Sequence, residues 1–161
     1  MLEDDNDDEF EEEFKVFVSH GRSPLWNEVE RFVRTQLEID VVILKDQVNR
    51  GRTVIEKLEE ETDECHYAII VMTAEDEQAD GTIRARQNVV HEIGFFQGKF
   101  GRENVLVLRQ DSVEEFSNIA GIVYEPFSGN NIQSTFERIR SEIDDALERF
   151  LEEDEDEDEE D

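Results

Sequence analysis

A doubly wound α/β sandwich built on a five-stranded parallel sheet is the fold class the sequence predicts. Short apolar runs such as HYAIIVMT (66–73) and NVLVLRQ (104–110) do not alternate with polar residues, so both faces of each are buried. Segments with helical spacing separate these runs and supply the crossovers that parallel strands need. The length of 161 residues suits one such core, assigned to 14–151 between acidic runs at 1–13 (MLEDDNDDEFEEE) and 152–161 (EEDEDEDEED). Those runs hold almost no apolar residues and are expected to be disordered, solvated tails.

The elements follow in order. KVFVSH (15–20) is the first strand, and Ser23 and Pro24 then read as a helix start, with Leu25, Val29, Phe32, Val33 and Leu37 at helical spacing. DVVILKD (40–46) is the second strand, NRGR (49–52) a turn, and Thr53, Val54, Ile55 and Leu58 open an acidic second helix. HYAIIVMT is the third strand. The polar loop AEDEQADGT leads into a helix over 84–97, closed near Gly98 or Gly101. NVLVLRQ is the fourth strand, SVEEFSNIAG a short helix or turn, and GIVYEPF (121–127) the fifth strand. Ile132, Phe136, Ile139, Ile143 and Leu147 mark a final amphipathic helix. The arrangement is flavodoxin-like, so ligands are expected outside the carboxyl ends of the strands.

Charge narrows the function. Sixteen Lys and Arg against 45 Asp and Glu give a net charge of -29, which repels nucleic acid and anionic lipid alike. Lysine occurs only at positions 15, 45, 57 and 99, a composition suited to molar salt, where self-repulsion is screened. The single cysteine, Cys65, excludes an internal disulfide and any multi-cysteine metal site, and reads as a small core residue in a reducing compartment. No apolar run approaches the ~20 residues of a membrane span and no basic-then-apolar signal opens the chain, so a cytoplasmic protein is expected.

Chemistry concentrates in RARQNVVHEIGFFQGKFGR (84–102). On a helix Arg84, Asn88 and Glu92 share one stripe beside the apolar stripe of Val89, Ile93 and Phe96, which sets Glu92 at the border of core and cleft. A carboxylate there is tuned for chemistry, or it points to water or pairs with Arg84 or Arg86; the residues alone leave both readings open. SHGRS (19–23) offers a glycine turn, backbone N–H groups and Arg22 for a phosphate or ribose oxygen, or is a tight strand-to-helix turn. Trp26 stacks on a base or packs against the core. His20, His66 and His91 have no metal spacing.

Taken together, KVFVSHG, TVIEKLEE, AIIVMTAEDE, the 84–102 helix and FSNIAGIVYEPF resemble the TIR-like family described as nucleotide-binding. That family occurs in effectors of the CBASS and Pycsar defence systems, and the resemblance runs from about Lys15 to Phe127. It implies an NAD glycohydrolase releasing nicotinamide and ADP-ribose or cyclic ADP-ribose, with Glu92 as the catalytic acid. By the same resemblance Ser19, Gly21, Arg22 and the Glu75-Asp76 loop frame the pocket, and Arg84 and Asn88 support it. NAD is then substrate, with no further cofactor and no metal. The partners implied are other TIR domains, through self-association, and a sensor on a longer form of the chain or on a separate protein. Two motifs depart from the family pattern: its TpDD reads Thr73-Ala74-Glu75-Asp76 here, and its PSD reads Phe116-Ser117-Asn118. A non-catalytic module that binds a nucleotide or a partner TIR is the alternative, and a deoxyribosyltransferase-like enzyme a third reading.

Overall fold

The structure is a computed structural model that describes residues 13–19, 21, 23–44, 54–74, 76–77, 83–84, 87–113 and 123–160. The N-terminal run 1–12, His20, Arg22, the NRGR turn and the 114–120 segment lie outside the described residues.

Five strands form one parallel sheet: β1 (Lys15–Val18), β2 (Asp40–Val42), β3 (Tyr67–Met72), β6 (Val105–Gln110) and β7 (Val123–Phe127), in the order β2-β1-β3-β6-β7. All pairings are parallel, with Val16 opposite Tyr67, Ala68 opposite Val105 and Leu106 opposite Val123. Strand alternation divides the core into two layers. Val16, Val18, Tyr67, Ile69, Val71, Leu106 and Leu108 face one side, against Val29 of α1 (Trp26–Arg31) and Ile139 and Ile143 of α4 (Phe136–Glu160). Phe17, Ala68, Ile70, Met72, Val105 and Val107 face the other, against Leu58 of α2 (Val54–Glu61) and Ile93 and Phe96 of α3 (Gln87–Phe100). Central β3 is therefore buried at every position, which is why its sequence does not alternate.

Local signals explain the boundaries. Asn27 N–H donates to Pro24 O and Glu28 N–H to Leu25 O, so the Ser-Pro step opens α1 with a tight turn. Gly101 ends α3 at φ 87, in a region that L side chains avoid, and its N–H donates to Gln97 O. Cys65 is buried, as expected, and burial pushes its thiol pKa up to about 11. Its alkylation by iodoacetamide at neutral pH should run at least about a hundredfold slower than in denaturant, because so little thiolate is present. Equal rates by mass spectrometry would place the thiol at the surface.

Two expectations need correction. The sequence places Arg84 on the third helix, but Arg84 lies in a two-stranded antiparallel ribbon of β4 (Asp76–Glu77) and β5 (Ile83–Arg84), and α3 begins only at Gln87. Pairing of Asp76 with Arg84 in the ribbon takes up backbone groups that an earlier helix start would otherwise use. The 152–161 run was expected to be disordered, yet α4 continues through Glu160. No glycine or proline interrupts it, glutamate is a good helix former, and the packed turns around Ile139, Ile143 and Ala146 have already met the cost of nucleation.

Every i,i+3 and i,i+4 neighbour within 152–160 is like-charged, each pair costing about 0.2–0.5 kcal/mol at low salt. Helix in this segment should therefore depend on screening. The far-ultraviolet difference between the full chain and one ending at Leu151 should be helical in molar KCl and coil-like at low ionic strength. A difference independent of salt would show that repulsion does not control it.

Candidate active site

The order β2-β1-β3-β6-β7 puts the topological switch between β1 and β3, and clefts in such sheets open outside the carboxyl ends at that point. Ser19 follows β1 directly and is 2% exposed. Its N–H donates to Ile69 O at 3.0 Å, and its Oγ accepts the Val71 N–H at 2.9 Å. The side chain thus continues the ladder one step past the strand, leaving the hydroxyl hydrogen to donate. Thr73, also buried, directly follows β3 at the same carboxyl edge. Gly21, half-buried, lies on the loop that leaves β1.

A second set of bonds stiffens the same edge. Ala74 N–H donates to Gln110 Oε1 at 2.8 Å, and Gln110 Nε2 donates to Gly129 O at 2.9 Å. Asp111 N–H donates to Phe127 O at 2.9 Å. One amide side chain therefore ties the carboxyl ends of β3, β6 and β7 together. Sequence reasoning passed over Gln110; an amide closing an otherwise apolar run was its only signal.

Glu92 is positioned by α3. This helix connects parallel neighbours and so runs antiparallel to them, starting at the carboxyl edge. Glu92, in its second turn, is roughly 8 Å along it. Ile93 and Phe96 are fully buried, with the Phe96 ring 4.6 Å from that of Phe17, and they fix the helix's rotation about its axis. Two turns beyond Glu92 on the same flank, Lys99 Nζ donates to Thr62 Oγ1 at 3.4 Å, just past α2. That flank of α3 faces α2, which places Glu92 over the β1 and β3 side of the sheet rather than over β7. The residue is half-exposed, yet its Oε2 is shut off from solvent. A carboxylate with one oxygen enclosed by the protein is held in place, and its partial exposure leaves the residue able to meet a ligand.

Of the other residues singled out, Asp76 and Arg84 stand opposite each other in the β4–β5 ribbon between β3 and α3. Asn88 lies one turn before Glu92 in α3, Arg22 is outside the described residues, and so are the side chains of Asp76, Arg84 and Asn88. Trp26 packs half-buried against the α1 and α4 core layer. Among the described residues, no helix is long and apolar enough to cross a membrane.

Comparison with known proteins adds independent information. The family model for the CAP12/Pycsar effector protein TIR domain matches residues 15–129. The uncharacterized protein YuaY of Escherichia coli is 39% identical over 116 residues, 68% of this chain and 38% of that protein. Protein tirC of Dictyostelium discoideum is 37% identical over 107 residues, 60% of this chain and 53% of its own length. The Pycsar effector protein PaPycTIR of Pseudomonas aeruginosa is 30% identical over 105 residues, 58% of this chain and 33% of its own. The chain thus spans about half or less of these relatives' length.

Proposed function

The chain belongs to the CAP12/Pycsar effector TIR-domain family, and on that premise we propose that it is an NAD glycohydrolase serving as an antiphage effector. The observation that carries this reading is Glu92, half-exposed on the α2-facing flank of α3 with Oε2 shielded from solvent. In NAD the nicotinamide is already a pyridinium, so it leaves as a neutral base once the bond from C1′ to its nitrogen breaks and the electron pair goes to that nitrogen. The ribose is left as an oxocarbenium-like cation. A carboxylate that accepts hydrogen bonds from the ribose hydroxyls lies where that positive charge develops and stabilises it more than the ground state. Water then adds at C1′ and loses a proton, giving ADP-ribose; attack by the substrate's own adenine gives the cyclised product instead.

The rest of the edge fits such a role. On this reading Ser19 and Gly21, at and just past the end of β1, would meet the ribose and phosphates, and Asp76, Arg84 and Asn88, on the segments between β3 and Glu92, would support them. Self-association through TIR surfaces, driven by a sensor domain or a separate sensor protein, would complete the site and confine NAD loss to infected cells. The natural setting is the cytoplasm, where NAD is abundant. Nicotinamide release by chromatography, in molar KCl and at high protein concentration, tests the proposal. Release is expected. NAD binding with no release, even in assembled protein, would instead identify a non-catalytic module.

A further inference from the structure

We propose that the opposite, amino edge of the sheet holds a second binding site, for a neutral planar nitrogen heterocycle of the size of adenine or nicotinamide. A cavity of about 220 Å³ opens there, between the segments that lead into β1, β3 and β6, the end of α3, and α4. The length of β3 separates it from the Glu92 edge by roughly 20 Å. It is smaller than the ~300–1,000 Å³ of drug-sized sites, so one ring system fits and a whole dinucleotide does not.

Its walls specify the ligand's shape and charge. Phe14, His66 and Phe150 make an aromatic side: the Phe14 and Phe150 centroids are 5.4 Å apart, and those of His66 and Phe150 4.6 Å. His66 Nδ1 accepts the Lys15 N–H at 3.2 Å, which holds the imidazole plane and puts the hydrogen of its neutral form on Nε2. Flat, rigid rings of this kind favour a flat partner.

Arg149 forms the polar side. Its Nη2 donates to Glu103 O at 3.1 Å and to Asn104 Oδ1 at 3.0 Å, fixing the guanidinium against the entry to β6. No other hydrogen bond of this group is made among the described residues, and Nε is buried. The guanidinium disfavours a cation in the cavity. Glu103 and Glu153, which also line it, and the acidic continuation of α4 disfavour an anion. A neutral heterocycle with an acceptor for Arg149 and an N–H donor for the rim carboxylates satisfies both sides. Adenine, with its ring nitrogens and amino group, and nicotinamide, with its carboxamide, share that chemistry.

The test is a titration of the full chain in molar KCl, followed by nuclear magnetic resonance of ligand and histidine ring protons. Adenine and nicotinamide form separate arms, with benzoate and benzylamine as charged probes of similar size. At least one neutral probe should bind with a Kd below about 1 mM and shift the His66 ring protons but not those of exposed His91. Arg149→Lys and Phe150→Leu should each weaken binding by about tenfold, while Glu92→Gln leaves it unchanged. The proposal is overturned if neither neutral probe binds, if a charged probe binds more tightly, or if His66 does not respond. Binding lost in Glu92→Gln but kept in Arg149→Lys would move the ligand to the carboxyl edge. None of these outcomes depends on NAD turnover.

Discussion

Glu92→Gln should lower nicotinamide release by about a hundredfold to a thousandfold, some 3–4 kcal/mol of transition-state stabilisation, without changing the unfolding curve. The amide keeps the shape of the side chain and still accepts a hydrogen bond, so packing beside Ile93 and Phe96 is preserved. What it loses is the negative charge, which matters only once the ribose turns cationic. The loss should accordingly fall on kcat, with KM for NAD little changed. Glu92→Asp keeps the charge but draws it back by about an ångström, enough to cost on the order of a hundredfold where geometry governs. Chromatographic assay of the three proteins, paired with chemical denaturation, decides the matter. Equal release from wild type and Glu92→Gln would remove this carboxylate from the chemistry.

The sheet was legible in the sequence because burial on both faces leaves a direct trace. AIIVM in β3 and VLVL in β6 cannot alternate when α1 and α4 cover one face and α2 and α3 the other. The border position of Glu92 was legible for a similar reason: the helical period places it beside Ile93 and Phe96, both fully buried. The β4–β5 ribbon was not, since two-residue strands show no period and the pairing of separated segments leaves no local trace. The helical state of 152–160 was hidden for a different reason. Composition reports solvation, whereas helix there is inherited from packed turns upstream. Gln110 and the amino-edge cavity depend on contacts between segments far apart in the chain, Ala74 with Gln110 and Asn104 with Arg149, for which local pattern has no sign.

Phe96→Ala should be the most damaging single change to the fold, at about 3–5 kcal/mol. The Phe96 ring is fully buried, 4.6 Å from Phe17, 5.1 Å from Phe95 and 5.4 Å from Phe100, so its removal opens a void that cannot refill without moving β1 or α3. Against a typical total of about 5–15 kcal/mol, that leaves a marginal protein. Glu92 is one turn away on the same helix, so activity should fall as well, but by another route. Molar salt and low temperature, which restore the folded fraction, should recover much of the activity of Phe96→Ala and none of that lost in Glu92→Gln. Phe96→Leu, which keeps most of the volume, should cost far less than the alanine variant. If Phe96→Ala denatures at the wild-type urea concentration, then α3 is not anchored through this ring, and the position it imposes on Glu92 has another cause.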